Sequence, residues 1–526
     1  MPEPTTTFGL RALVRGVPRP VWACTALFGV LLSLHALLTP LYRAPDEARH
    51  VDTVLSLRDG RGYPPAGEAV LGTGVLGSYP AAGYSVPRAD GGQSRAPLPL
   101  TGPAPDVAAA PSFRDVTPPA LATRQLNQMT QHPPLYYAAG AAALWLLPGD
   151  QDLPFPYVIG LLRLLSVLCL VPLPLLAFAA ARRLLGDGPA ALAAAAVPLA
   201  VPQLLHIGGS VSNDNLLTLL LGVLTVALVH VSLGDTSRRT AVTVGLLAAA
   251  ALLTKGFALL ALPWLVLAYG VAFRRARTAL TSGALALALS ALGGWWYVLN
   301  LVRYGELQPE ETIDAAYPPA GPEFAASLRV FAEQFADKVS NRFWGNFGYL
   351  EVPLPSALTT GATVLLLLLV AIGLGRTRPR AAALLLLLPA VGIGTMLFAG
   401  TYDFYRDHGV FPGLQGRYLF PALVGLAVLV GSGAARLARG FAPAAVLLGA
   451  LLGQAYALRV VVTSFWPGGA LEALRHGASW SWAPAPVVVG LCAGAAVLGL
   501  AALALLGGTA VDRAPIPVPM PESVTA

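Results

Sequence analysis

The sequence predicts an all-α fold: a polytopic bundle of about twelve transmembrane helices with a large first extracytoplasmic loop. Three observations predict it. Of the 526 residues, 55% are hydrophobic and 12% charged, where an ordinary soluble domain carries roughly 25% charged residues. Apolar runs long enough to cross a bilayer recur from Val21 to Gly508, and in lipid such runs must be helical because every backbone group needs a partner within its own segment. Basic clusters punctuate the runs at Arg11/Arg15/Arg19, Arg182/Arg183, Arg238/Arg239, Arg274/Arg275/Arg277, Arg376/Arg378/Arg380, Arg436/Arg439 and Arg513. If all face the cytoplasm, each interval holds an even number of spans, and both termini are cytoplasmic.

The first span, 21–39, follows the basic stretch "FGLRALVRGVPRP" but lacks a small-residue cleavage site, so it reads as a retained helix rather than a signal peptide. The next three occupy 156–181, 190–208 and 215–233. Between Arg239 and Arg274 there is room only for two short helices, 240–254 and 257–273, with a turn near "TKGF". The remaining spans are 279–299, 356–374, 381–399, 418–435, 441–463 and 484–508. The first outer loop, 40–155, is Pro/Gly/Ala-rich in its middle and ends in "HPPLYYAAGAAALWLLP", which is apolar but short and predicts a re-entrant or interfacial helix. A second outer loop, 300–355, carries acidic and aromatic residues and is a candidate cover for a site. Residues 511–526 form an expected cytoplasmic tail. The chain has no internal sequence repeat, which argues against a carrier built from inverted repeats.

The net charge of +7 is scattered in pairs between apolar runs, as topology signals are, and forms no nucleic-acid-binding face. Cys24, Cys169 and Cys492 each sit inside an apolar run without metal-ligand spacing, which speaks against disulfides and metal thiolates.

On this topology every unusual polar cluster falls on the outer side. The stretch "LYRAPDEARH" follows the first span and presents Arg43, Asp46, Glu47, Arg49 and His50. Pro45 with Asp46 and Glu47 suits a helix start; equally, a helical register would put Asp46 and His50 on one face, a carboxylate beside an imidazole poised as a general base. "QHPPLYY" (131–137) reads as another helix start, with His132 and Tyr136 as candidate pocket residues. "SVSNDN" (210–215) offers Ser212 or Asn213 as an N-cap with Asp214 in the first turn. Arg163 lies inside the second span, where a charge costs roughly 2.5 to 3.5 kcal/mol and calls for a polar cavity or partner. Lys255 and Arg417 sit at short outer turns, where topology disfavours positive charge, and imply something anionic nearby.

The order PDExxH, HPPLYY, "RLLS", "ARRLLG", SxxND, TKG and "QGRYLFP" resembles a family of bacterial polytopic membrane proteins similar to the C-type glycosyltransferase superfamily, which includes protein mannosyltransferases and lipid A aminoarabinose transferases. The resemblance implies a catalytic transmembrane module over 1–435, with 436–510 as additional C-terminal helices. It implies transfer of a sugar from a polyprenyl-phosphate donor to an envelope glycan, lipid or protein on the outer face, with inversion. Asp46, with Glu47 beside it, would serve as the base, and Arg163, Lys255 and Arg417 would meet the phosphate. Where the aminoarabinose transferases carry a lysine before their Pro-Pro pair this chain has His132, which leaves a phosphate contact from that position unsupported. No cofactor is required, since side chains can neutralise a monophosphate leaving group; a divalent cation on Asp46, Glu47 and His50 is the alternative. A lipid-linked sugar flippase or polymerase would share the cations without needing a base, and a scaffold of an envelope complex would need neither.

Overall fold

The computed structural model describes residues 8–9, 13–82, 97–117, 125–309, 317–321, 323–411 and 413–511. The expected tail lies outside these residues from 512 onward. Among them the architecture is all-α, and the one strand, Val352–Pro353, has two residues.

Each predicted span falls on helix, and the breaks have local causes. Arg19–Leu38 begins after an extended Pro18, with Pro20 in its first turn. Phe155–Leu170 and Leu173–Leu185 form one apolar run, with Pro172 and Pro174 at the joint. Pro189–Ala200 and Pro202–Gly208 meet at 64°, and Ala279–Gly293 meets Trp295–Tyr304 at 51°. Among the described residues, eight helices are long and apolar enough to cross a membrane, ten if each bent pair is one span. The expected twelve is not reached on this measure, for two physical reasons. Arg238–Leu252 has 15 residues, about 22 Å at 1.5 Å per residue against a core of roughly 30 Å. Gly416–Phe465 is helical for 50 residues and is divided at Arg439, whose φ is 51°.

Burial separates the helices into a centre and a rim. The apolar windows of Asn213–Ser232 and Gly416–Phe465 are 78% buried, those of Ser356–Arg376 and Ala485–Gly508 only 17%. The two enclosed helical runs carry Asp214 and Arg417 at their starts.

At one end the basic clusters gather: Arg182 donates to the carbonyls of Arg15 and Gly16, and Arg275 donates to Ser232 O. At the other end the first loop folds back on the bundle. Glu47–Arg58 packs against Leu135–Trp145 through a second apolar cluster containing Val51, Val54, Tyr137 and Ile159. Leu135–Trp145 has 11 residues, too few to cross a bilayer, which agrees with the expectation of a re-entrant or interfacial helix. Its start is docked by the Leu135 N–H on Leu253 O at 3.0 Å.

Candidate active site

Three predicted local structures place the site residues. His132-Pro133-Pro134 separates the 3-10 turn Gln128–Gln131 from the helix Leu135–Trp145. Ser212 caps Asn213–Ser232 by accepting the Asp214 N–H at 3.3 Å. The turn at Thr254 and Lys255 separates Arg238–Leu252 from Gly256–Leu260. A fourth feature needed coordinates. Asp46 adopts left-handed backbone, φ 64°, ψ 5°, and its side chain does not cap the helix that follows. Such a conformation is uncommon outside glycine, and Asp tolerates it better than most. It sends neighbouring Asp46 and Glu47 to different partners.

Glu47 is fully buried and accepts four hydrogen bonds, two on each oxygen: Arg163 Nε at 2.8 Å and Val211 N–H at 3.1 Å on Oε1, Arg163 Nη2 at 2.7 Å and Tyr42 N–H at 2.9 Å on Oε2. Arg163 also donates from Nη1 to Ala36 O and Thr39 O and from Nη2 to Pro40 O, at 2.7 to 3.0 Å. That occupies all five guanidinium N–H donors. The sequence-based assignments of Glu47 to chemistry and of Arg163 to phosphate therefore need correction: neither has a free hydrogen-bonding position, and both side chains are 0% exposed. They form a structural lock beneath the site.

Asp46 is the open carboxylate, its side chain 15% exposed. Arg417 Nη2 donates to its Oδ2 at 2.8 Å, the Tyr349 hydroxyl donates to Oδ1 at 2.9 Å, and Arg49 Nη1 stands 3.5 Å from Oδ1. Arg417 continues the chain of charges, with Nε 3.1 Å from Asp214 Oδ2 but off hydrogen-bond alignment. Lys255 Nζ donates to Asp214 Oδ1 at 2.6 Å and lies 4.5 Å from the centre of the Tyr418 ring. Tyr349, Asp46, Arg417, Asp214 and Lys255 thus form one linked run from five separate segments. Gly416 permits it: a Cβ there would strike the backbone of Arg342 and Phe343.

Burial would raise the Asp46 carboxyl, but the charges of Arg417 and Arg49 outweigh it and hold the group well below the ordinary carboxylate range. Burial lowers the Lys255 ammonium, and the adjacent Asp214 carboxylate offsets only part of that. His50 is taken down to about 3 by burial, and His132 is pushed well below its usual value for the same reason. Both are neutral imidazoles at neutral pH, so His132 offers no positive charge to a phosphate. Its Nδ1 is buried and has no hydrogen-bond partner among the described residues. The expected pairing of Asp46 with His50 does not form, because Asp46 stands before the helix and His50 Nδ1 bonds the Tyr137 hydroxyl at 3.0 Å. Tyr136 bonds Ser166 Oγ at 3.0 Å, an internal contact where a substrate contact was expected. Among the described residues no group of three His, Cys, Asp or Glu side chains is placed to hold a metal ion.

The model of a family described as "Predicted membrane protein (DUF2142)" matches residues 28–426. The chain belongs to that family. No curated protein matches it in sequence. Among solved structures it is similar to ArnT from Cupriavidus metallidurans bound to undecaprenyl phosphate, at 17% identity and a TM-score of 0.48, covering 94% of this chain and 78% of that one. The same protein in the apo state gives 16% identity, a TM-score of 0.48, and 94% and 77% coverage. The Archaeoglobus fulgidus oligosaccharyltransferase in its apo form gives 11% identity, a TM-score of 0.41, and 88% and 56% coverage.

This DUF2142 chain also carries site residues that sequence reasoning missed. Tyr349 reaches Asp46 from the second loop, held by a short turn in which Gly348 has φ 63°, Asn346 N–H donates to Gln203 Oε1 at 2.8 Å, and Arg43 Nη1 bonds both oxygens of Glu351 at 3.0 and 3.1 Å. Arg43 and Arg49 flank the PDE motif and were visible as charges. Tyr349 and Glu351 had only the acidic and aromatic character of their loop as a signal.

Proposed function

We propose that this chain is a membrane glycosyltransferase of the C-type kind. It moves a sugar from a polyprenyl-phosphate donor to a hydroxyl of an envelope acceptor, on the extracytoplasmic face and with inversion. The observation that carries the reading is the Asp46–Arg417–Asp214–Lys255 run: a partly open carboxylate in line with two cations that are paired with carboxylates of the protein itself.

The chemistry divides between them. Asp46 takes the proton of the acceptor hydroxyl as that oxygen attacks the anomeric carbon. The bond from that carbon to the phosphate oxygen breaks, and its electron pair leaves with the phosphate. Lys255 and Arg417 stabilise the departing charge. The donor phosphate competes for cations already paired, and the unaligned Arg417 Nε is the donor least committed to the protein. Drawing Arg417 toward phosphate weakens its hold on Asp46 and returns basicity to that carboxylate, so donor binding arms the base. Glu47 and Arg163 act beneath this pair by fixing the turn on which Asp46 sits.

A flippase for the same lipid would use the cations and need no base. The test is transfer of radiolabelled sugar from undecaprenyl-phosphate-linked hexoses by protein in nanodiscs. Asp46→Asn should lose at least about a hundredfold, the usual share of a positioned base, at unchanged protein level. Full activity in that variant would remove the glycosyltransferase reading.

A further inference from the structure

A polar cavity opens beside the helix Glu47–Arg58. It has a volume of about 140 Å³ and is walled by Asp52, Thr53, Ser56, Arg61, Asn127 and Thr130, with Glu68 at its edge. One water occupies roughly 10 to 15 Å³ of such space, so the cavity has room for a single sugar ring with its hydroxyls and not for a drug-sized molecule. Its polarity is built in. Asp52 and Asn127 are buried at 2% exposure each, and Asn127 Nδ2 donates to Asp52 Oδ2 at 2.8 Å. The Gly72 N–H donates to Asp52 Oδ1 at 2.8 Å, and Arg61 Nη2 stands 3.6 Å from the same oxygen. Thr53 and Ser56 spend their hydroxyl protons on Arg49 O and Gly62 O; the Thr53 oxygen also accepts from Asn127 Nδ2 at 3.1 Å, and the Ser56 oxygen can accept a further donor. The Arg61 side chain is 42% exposed and stands at the mouth.

The composition selects a ligand class. Two carboxylates against one guanidinium disfavour an anion. The bonds already made to Asp52 by an amide, a backbone N–H and an arginine leave no open cage of oxygens for a cation. What remains is a mixed set of acceptors and donors on a small cavity with an apolar edge at Ala69 and Val70, which matches a neutral polyhydroxylated ring. Burial raises the Asp52 carboxyl despite its three partners, so its charged form gains from a further hydroxyl donor.

The cavity is wired to the reaction centre. Asp46 precedes the helix Glu47–Arg58, and Asp52 lies six residues along it, about 9 Å at the helical rise. Asn127 Nδ2 also donates to Arg49 O at 3.1 Å, and the guanidinium of the same Arg49 faces Asp46 and the Tyr349 hydroxyl.

We propose that this cavity is an acceptor-side subsite that holds one neutral sugar unit of a glycan acceptor about 9 Å from Asp46; the acceptor-side assignment rests on the glycosyltransferase reading above. Binding is measured with saturation-transfer NMR on the full chain in nanodiscs, using methyl glycosides of mannose, galactose and glucose as probes and acetate as the anionic control. The expected result is binding of at least one glycoside in the millimolar range and none of acetate. Ser56→Leu fills the cavity and should weaken binding at least about tenfold, equal to some 1.4 kcal/mol. Arg61→Ala and Glu68→Gln at the exposed mouth should weaken it less, and they give the answer even if Ser56→Leu does not fold. Asp46→Asn should bind the glycosides like the parent chain while losing transfer, which separates the two readings. No glycoside binding to the parent chain, or binding that all three cavity variants keep, overturns the subsite. Transfer retained by Asp46→Asn instead overturns the catalytic reading, and with it the acceptor role, whatever the binding data give.

Discussion

Replacing Glu47 by glutamine separates support from chemistry at two adjacent carboxylates. In the native chain the Glu47 carboxylate and the Arg163 guanidinium are 0% exposed and pair through bonds of 2.7 and 2.8 Å. An amide keeps one acceptor oxygen but turns an NH₂ toward Arg163 and toward either the Tyr42 or the Val211 N–H, donor against donor. Removing one partner of a buried ion pair costs roughly 3 to 5 kcal/mol, and an orphaned backbone N–H adds about 1 to 3 kcal/mol. The acceptor that remains offsets part of this, so a net loss of about 3 kcal/mol follows. Thermal unfolding of detergent-purified protein, followed by the fluorescence of its nine tryptophans, should show the midpoint falling by about 3 °C for a chain of this length. Exchanging Glu47 and Arg163 together for leucine would orphan the buried Tyr42 and Val211 N–H groups and the Thr39 carbonyl, at about 1 to 3 kcal/mol each, so the double variant should melt below Glu47→Gln alone. Asp46→Asn, by contrast, should move the midpoint little. The reasoning is refuted if Glu47→Gln melts and accumulates like the parent chain yet loses sugar transfer, because Glu47 would then act in the reaction.

Four further outcomes follow. Arg417→Ala should weaken undecaprenyl-phosphate binding in nanodiscs at least about tenfold, the equivalent of one charge-assisted bond, and Arg417→Lys should keep part of it; equal affinity in both would put the phosphate elsewhere. Lys255→Ala should show the same donor defect and should leave Asp214 buried without its ammonium, so its thermal midpoint should fall as well. His50 has a folded pKa of about 3 against roughly 6.5 unfolded, so its stability contribution is present above pH 6.5 and lost as pH falls toward 3. Between pH 6.5 and 5 that amounts to about 2 kcal/mol, and His50→Gln should flatten the corresponding drop in midpoint. Finally, in a chain with its three cysteines replaced by alanine, Glu68→Cys should react with an impermeant thiol reagent from outside intact cells and Arg378→Cys should not; the reverse would invert the topology.

Much of the site was legible as charge in the wrong solvent. Asp214, Lys255 and Arg417 could be picked out because each sits at the end of an apolar run, where an unpaired charge is costly, and the structure joins all three. Ser212 as a cap and the His-Pro-Pro helix start were local, and local geometry is what short sequence patterns encode. Which of Asp46 and Glu47 faces the cavity was not legible, because a backbone turn of one residue decides it, and the left-handed conformation of Asp46 has no signature beyond Asp being tolerant of it. Tyr349 was out of reach for another reason: its partner lies 303 residues away, and a tyrosine in a loop looks like any other. The expected twelve spans rested on even spacing of basic clusters, and the short helix which that spacing required after Arg239 is Arg238–Leu252.

Arg163 also has a bearing on how the first two spans are joined. Three of its bonds go to carbonyls at and just beyond the end of the helix Arg19–Leu38, where the helix's own ladder has run out. A guanidinium left in lipid alone costs roughly 2.5 to 3.5 kcal/mol, and these carbonyls together with Glu47 take up all of its donors. Each is the other's remedy. The first two spans are therefore stitched together by one buried guanidinium, and the acidic motif between them is held by the same side chain through Glu47.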